Sequence, residues 1–327
     1  MTGNYKYIAV GLLFSLLITA CSKDGADGNE VSNPNEGKKE IRIQTNVSSV
    51  LEGRRAQTID NIEALQTEGH FTCTAYQAGT LTAYISTTTV DWDSEESRWE
   101  FNRGDDHYYW PASGNLDFFG YMPATRPSYI AADPALTYTA AHNVTFTCSG
   151  LPMTNAGQGS SLKEFVFGMA LGQNYGNAST GVPLQFQHPF ARIKLQLAAS
   201  HPNVTIHSIT FRSIKNNGSY DHSATPKWSP SGDATDFVLT LTGAAAVFDD
   251  NSTAKPIGED YIMIPQDWTG VIEVDADCLY WGDMVNYPSL TTTVPTDWEP
   301  GHSYTYTFNI SPDDLKVETK NTFTEQW

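Results

Sequence analysis

The chain has 327 residues, 40% of them hydrophobic, and a formal net charge of -18. That length suits two ordinary domains with their own cores, and an acidic chain with no basic stretch repels phosphate backbones, so nucleic acid is not an expected partner. Only 17% of residues are charged, and the Thr, Ser, Asn, Gly and aromatic residues that take their place favour strands and turns over helices.

The first element follows Lys6: an apolar run from Tyr7 to Ala20. It is shorter than the roughly 20 residues that span a bilayer and has the form of a signal-peptide hydrophobic region, so residues 1–20 are expected to be removed. The run ends in Leu17-Ile18-Thr19-Ala20-Cys21, which resembles the lipobox of bacterial lipoproteins. That resemblance makes Cys21 the lipidation site and gives the protein a lipid anchor in place of a membrane helix. Residues 21–37 hold Gly, Asn, Ser, Pro and acids with one apolar residue after the cysteine, Val31, the composition of a flexible tether.

From Lys38 onward the dominant signal is a period of two, the signature of half-buried strands. In "EIRIQTNVSSVL" the odd positions carry Ile41, Ile43, Val47 and Leu51; in "HSYTYTFNI" one phase holds Tyr304, Tyr306, Phe308 and Ile310. Short strands are read at "FTCTAY", "LTAYIST", "RWEFN", "LDFFGYM", "NVTFTC", "TIHSITFRS", "FVLTLTG", "YIMIP" and "VIEVDADCLYW", with turns at "SGN", "KNNGS" and "SPSGD". The clearest helix, "TIDNIEALQTEG", is short. So many short strands with so little helix predict an all-β protein of antiparallel β-sandwiches. Within "TGVPLQFQHPFARIKLQL" the apolar phase changes at Phe190-Ala191-Arg192, which predicts a bulge or bend. The polar interval before it, "GQNYGNAST", is the expected division into domains 38–180 and 181–327.

Sequence motifs for zinc, thiol, serine-nucleophile and nucleotide chemistry are absent, so neither enzyme activity, cofactor nor metal is expected. Asp91, Asp93 and Glu95 echo a calcium loop without its central Gly and final Glu, and read as a solvated hairpin. His188 sits among apolar residues and reads as a core histidine. Cys73, Cys148 and Cys278 permit at most one disulfide, and the alternation of Cys73 with Phe71 and Ala75 makes it a buried small hydrophobe. The aromatic groups "HYYWP" and "DFFGYMP" can build a core or a platform for surface glycans, with Phe118 and Phe119 on opposite sides of their sheet.

Two of the eight arginines stand side by side, Arg54 and Arg55, before Ala56. Together with the lipobox, the early alternating strand, "YYWP", "FFGYMP", "PLQFQHPFARIKLQL", "YIMIPQ" and "WEPGHSYTYTFNI", in that order, they resemble the fimbrillin family of Bacteroidales type V pili, across nearly the whole chain. The resemblance implies two transthyretin-like β-sandwich domains with Greek-key type antiparallel sheets. It also implies an assembly route: export as an outer-membrane lipoprotein, then cleavage by an arginine-specific protease that removes the lipid and the first strand. A strand from another fimbrillin subunit then fills the groove in an extracellular pilus that serves adhesion to host or bacterial surfaces and their glycans. Here a cut after Arg55, with Arg54 the alternative, would release residues 21–55, and with them the strand segment 38–55 that carries Ile41, Ile43, Val47 and Leu51, on the order of 6–12 kcal/mol of burial. The donor candidate is 313–327, where Leu315, Val317, Phe323 and Trp327 share one phase; the alternative is that this segment is the last strand of its own domain. The rival to a cleaved stalk subunit is an uncleaved protein, either an anchor or tip subunit or a tethered glycan-binding lipoprotein.

Overall fold

The computed structural model describes residues 37–46, 62–131, 137–138, 143–159, 162–199, 202–250, 252–311 and 314–323. Cys21, Val47, Leu51, the Arg54-Arg55-Ala56 site and Trp327 lie outside them. The first half contains β1 (Ile43–Asn46), a short helix α1 (Ile62–Glu68), β2 (His70–Gln77), β3 (Ala83–Asp93), β4 (Arg98–Phe101), β5 (Leu116–Met122), β6 (Thr137–Tyr138), β7 (Val144–Cys148), β8 (Val166–Gln173) and β9 (Val182–Gln187). Seven of these strands close into a barrel in the order β1-β4-β3-β2-β5-β8-β9. Closure rests on β1, which runs antiparallel to β4 and parallel to β9. A parallel partner so distant in sequence has no local signature, and so a ring stands where open sandwich sheets were expected.

The second half continues with β10 (Ala191–Leu197), β11 (Val204–Asp221), β12 (Trp228–Thr240), β13 (Val247–Phe248), β14 (Lys255–Pro256), β15 (Tyr261–Met263), β16 (Asp267–Trp268), β17 (Val271–Tyr280), β18 (Asp283–Thr293), β19 (Thr296–Asp297), β20 (His302–Ser311) and β21 (Asp314–Phe323). One sheet runs β14-β10-β20-β21 with β15 also on β10; another runs β18-β17-β11-β7-β6, with β12 and β13 paired to β11. The alternating residues Ile193, Leu195, Tyr304, Tyr306, Phe308 and Ile310 from the first sheet share one core with Ile206, Phe211, Phe237, Ile272 and Val274 from the second. Two sheets over a common core are the sandwich that period-two alternation demands.

Strand membership changes at His188-Pro189-Phe190. The polar interval Gly172–Thr180, expected as the domain division, instead joins β8 to β9, which pair antiparallel. The phase switch at Phe190 is therefore a bend between two sheets and not a bulge within one strand. Two expected turns also prove to be strand. "KNNGS" lies inside β11 and "SPSGD" inside β12, because two register shifts absorb the irregular residues. The backbones approach closely at Gly218: a Cβ would stand 3.1 Å from the Ser229 carbonyl oxygen and 3.2 Å from Pro230 Cα. The long β11 also pairs with β7, and Phe119, Phe146, Phe165, Phe167, Tyr220 and Trp228 form a third cluster. The described residues from Lys39 onward accordingly form one compact unit.

Candidate functional site

The segment that sequence reasoning marked for removal is the keystone of the barrel. Along β9 it makes a parallel ladder, Ile43 opposite Val182, Gln44 opposite Pro183, Thr45 opposite Leu184 and Asn46 opposite Gln185. The Val182 N–H donates to the Arg42 carbonyl at 2.7 Å. Toward β4 the contact is thinner: one residue pair, Ile43 with Trp99, and a hydrogen bond from Trp99 Nε1 to Thr45 Oγ1 at 2.9 Å. Upstream, the Ile41 N–H donates to the Tyr108 carbonyl, the Trp110 N–H donates to the Lys39 carbonyl, and His107 Nδ1 lies 2.6 Å from Glu40 Oε1.

Ile41 and Ile43 are 2% and 4% exposed and sit in the barrel core with Phe71, Trp99 and Phe186. At roughly 1.5–3 kcal/mol per fully buried side chain, these two contribute about 3–6 kcal/mol. Between β1 and β4 lies a cavity of about 400 Å³ lined by Arg42, Gln44, Arg98 and Glu100 among others. β1 is thus bound tightly on its β9 side and loosely on its β4 side. Gly181, at φ +141°, makes the tight side possible: a Cβ there would lie 2.6 Å from Gln44 Cγ.

At the other end of the chain, β21 pairs antiparallel with β20 over ten residue pairs, from His302 with Phe323 to Ser311 with Asp314. Val317 is half-buried against the sandwich core, while Lys316, Glu318 and Lys320 are exposed. Leu315 and Phe323 take the same phase as Val317 by register, opposite Ile310 and His302. β21 ends its sheet and has one neighbour. In the single chain, residues 314–323 form the edge strand of this sheet.

Trp110, Phe118 and Phe119 are buried and Tyr108 packs against the core, so these aromatics form no exposed platform. Phe118 and Phe119 belong to different clusters on opposite sides of β5. His188 is buried, with Nδ1 2.6 Å from Glu164 Oε1. Asp93 Oδ1 accepts the Glu95 and Glu96 N–H groups, and Asp91 Oδ2 accepts that of Arg103, so both carboxylates serve their hairpin. Among the described residues no group of His, Cys, Asp and Glu could hold a metal. Cys73, Cys148 and Cys278 are free and buried. Burial pushes the Cys73 and Cys148 thiols up to about 12, which keeps them in the unreactive protonated form. Sequence reasoning missed an exposed apolar hairpin tip, Leu279 to Val285; hydrophobicity alone does not say which end of a strand pair leaves the core.

A family model described as fimbrillin-like matches residues 54–327. Among solved structures, the chain is similar to a candidate cell adhesion protein from Bacteroides ovatus ATCC 8483, with 16% identity and a TM-score of 0.51 over 86% of this chain and 96% of that one. A second candidate cell adhesion protein, from Bacteroides uniformis ATCC 8492, gives 12% identity and a TM-score of 0.50 over 90% and 100%. The tip fimbrial protein Mfa3 from Porphyromonas gingivalis, with a C-terminal truncation, aligns at 10% identity and a TM-score of 0.44 over 86% and 99%. The first two likenesses show a shared fold. No curated protein matches the chain.

Proposed function

The chain belongs to the fimbrillin-like family, and on that premise we propose that it is a structural subunit of a surface pilus that exposes a strand-accepting groove by losing β1. In this reading Cys21 carries the lipid that holds the exported protein at the outer membrane, and an arginine-specific protease cuts after Arg55. Residues 21–55 then leave together. The observation that carries the reading is the position of β1. It closes the barrel with two buried isoleucines and a parallel ladder, and it precedes the arginine pair in sequence. Its departure leaves β4 and β9 with unpaired backbone groups facing each other, and a strand from another chain repairs such a gap. The family match also begins at residue 54, leaving β1 outside the matched region.

The test is a pair of substitutions, Arg54→Ala with Arg55→Ala, in cells that assemble the pilus. The expected result is accumulation of the lipidated precursor and loss of the subunit from sheared filaments; unchanged incorporation would end the reading. A second reading places the subunit at the filament's end, where it accepts a strand but donates none. The ten-pair union of β21 with β20 favours it. Deleting residues 313–327 separates the two: a donor role predicts that filaments stop growing beyond this subunit, and a terminal role predicts normal filaments with a less stable subunit.

A further inference from the structure

Eleven large apolar side chains are exposed among the described residues, and nine of them fall in two groups. Leu279, Tyr280, Trp281, Met284 and Val285 form the tip of the β17–β18 hairpin, and Leu81, Tyr84, Leu171 and Tyr175 surround the β2–β3 and β8–β9 turns. Pairing places each group at the end of its sheet away from the His188–Phe190 crossover. β9 starts at Val182, beside the Tyr175 turn, and runs to the crossover at Gln187. β10 leaves the crossover at Ala191 and ends at Leu197, and the next strand begins at Val204, opposite Cys278 at the base of the hairpin tip.

Both patches are built. Trp281 is 91% exposed and has φ +52°, followed by Gly282 at +98°. Positive φ at both central residues of a two-residue hairpin turn normally calls for Asn or Gly, and a bulky side chain there is strained. At the barrel end, the buried Asp117 carboxylate accepts the Gly79 N–H at 3.2 Å and the Gly172 N–H at 2.7 Å, tying together the turns that bear Leu81 and Leu171. Asn174 Nδ2 donates to Asn115 Oδ1 at 3.0 Å, and the Lys39 ammonium lies 5.4 Å from the Tyr175 ring centroid.

We propose that these patches meet: the hairpin tip of one copy docks on the barrel end of the next, in a head-to-tail contact separate from strand exchange. Trp281 meets the Tyr280 ring edge-to-face at 6.2 Å, and the aliphatic side chains Leu279, Met284 and Val285 are exposed on the same tip, which makes it more apolar than a purely aromatic sugar platform. Asp283 within the tip, with Asp275 and Asp277 on the same hairpin, disfavours an anionic lipid surface but suits a partner that presents Lys39. Two different patches on one chain make a heterologous contact, which propagates into an open filament. With five exposed apolar side chains on one face and four on the other, the contact is small against the roughly 20–30 residues a side of a standard interface and is weak by itself. The apolar side chains of both patches lie outside residues 21–55, and only Lys39 would leave with that segment, so the contact's failure leaves the strand-removal reading standing.

Sedimentation velocity on the unlipidated chain from Ser22 onward, uncut at Arg55, tests it at concentrations up to several hundred micromolar. The parent chain is expected to form species larger than dimers. Trp281→Ser and Leu81→Glu, each with an unchanged melting temperature, are expected to weaken association at least tenfold when alone. Their equimolar mixture is expected to recover association but to stop at dimers, because one intact tip then meets one intact barrel end. A parent chain that stays monomeric, a Leu81→Glu variant that associates like the parent (a tip-to-tip contact), or a mixture that does not recover would each overturn the proposal.

Discussion

β1 and β21 are the first and last strands described, and they are held in opposite ways. β1 is short, has a neighbour on each side, and buries Ile41 and Ile43 almost completely. β21 is long, has one neighbour, and half-buries Val317. The first is held by core burial inside a ring, the second by backbone pairing along an edge. Losing β1 therefore opens two facing edges and a hydrophobic slot, whereas losing β21 uncovers one edge. A vacancy with two edges and apolar pockets can select the side chains of an incoming strand as well as its backbone, and that asymmetry supports the proposal that the β1 position is the acceptor.

The largest expected effect comes from removing the two strands in turn. A chain beginning at Ala56 should lose at least about 3–6 kcal/mol in denaturant titration, the burial of the two isoleucines. A chain ending at Ser311 should lose less. Equal losses would erase the contrast. A peptide of residues 38–51 added to the shortened chain should restore stability with the logarithm of its concentration once binding saturates, and no rescue would mean that the barrel does not survive as an open acceptor.

Next in size is Gly181→Ala, expected to cost about 1–3 kcal/mol through a strained backbone and the 2.6 Å approach to Gln44. In the chain beginning at Ala56 the cost should fall to the backbone strain alone, because its clash partner is gone. If the cost is undiminished there, Gly181 serves the turn and not β1. Val317→Ala should cost about 1 kcal/mol or less, since the residue is half-buried at an edge.

How far the sequence discloses this contrast depends on the range of each interaction. Alternation at Ile41 and Ile43 identifies β1 as a strand with one buried face, and "VPLQFQ" does the same for β9, because a period of two is a local property. Their parallel pairing, which closes the barrel, joins residues well over a hundred positions apart and leaves no local trace. The helix at Ile62–Glu68 was legible. The passage of β11 through "KNNGS" was not, since Asn and Gly signal a turn unless partners elsewhere occupy them, as when Asn217 Oδ1 accepts the Gly150 N–H at 2.8 Å. Trp281 read only as the end of the strand "VIEVDADCLYW"; its exposure follows from where Cys278, the last buried residue of β17, leaves the sandwich.

The last comparison is of the two cores by pH, and its effect is confined to alkaline solution. Burial raises the Cys73 and Cys148 thiols from 9.0 to about 12. A group whose folded pKa is raised supports the fold fully below its unfolded value and loses that support as pH rises. Stability should thus be flat up to about pH 9 and then fall, by up to about 1.4 kcal/mol per pH unit for each buried thiol. Cys73→Ala should flatten part of that decline in the barrel. A stability curve that Cys73→Ala leaves unchanged in slope would show that other groups govern the alkaline limb.

The most direct test of the account is the N-terminal sequence and intact mass of the protein recovered from the cell surface. The account predicts a mature chain that starts at Ala56 and carries no lipid. A lipidated Cys21 with Arg54 and Arg55 uncut would contradict it, since β1 would then remain in its barrel and the groove would stay closed.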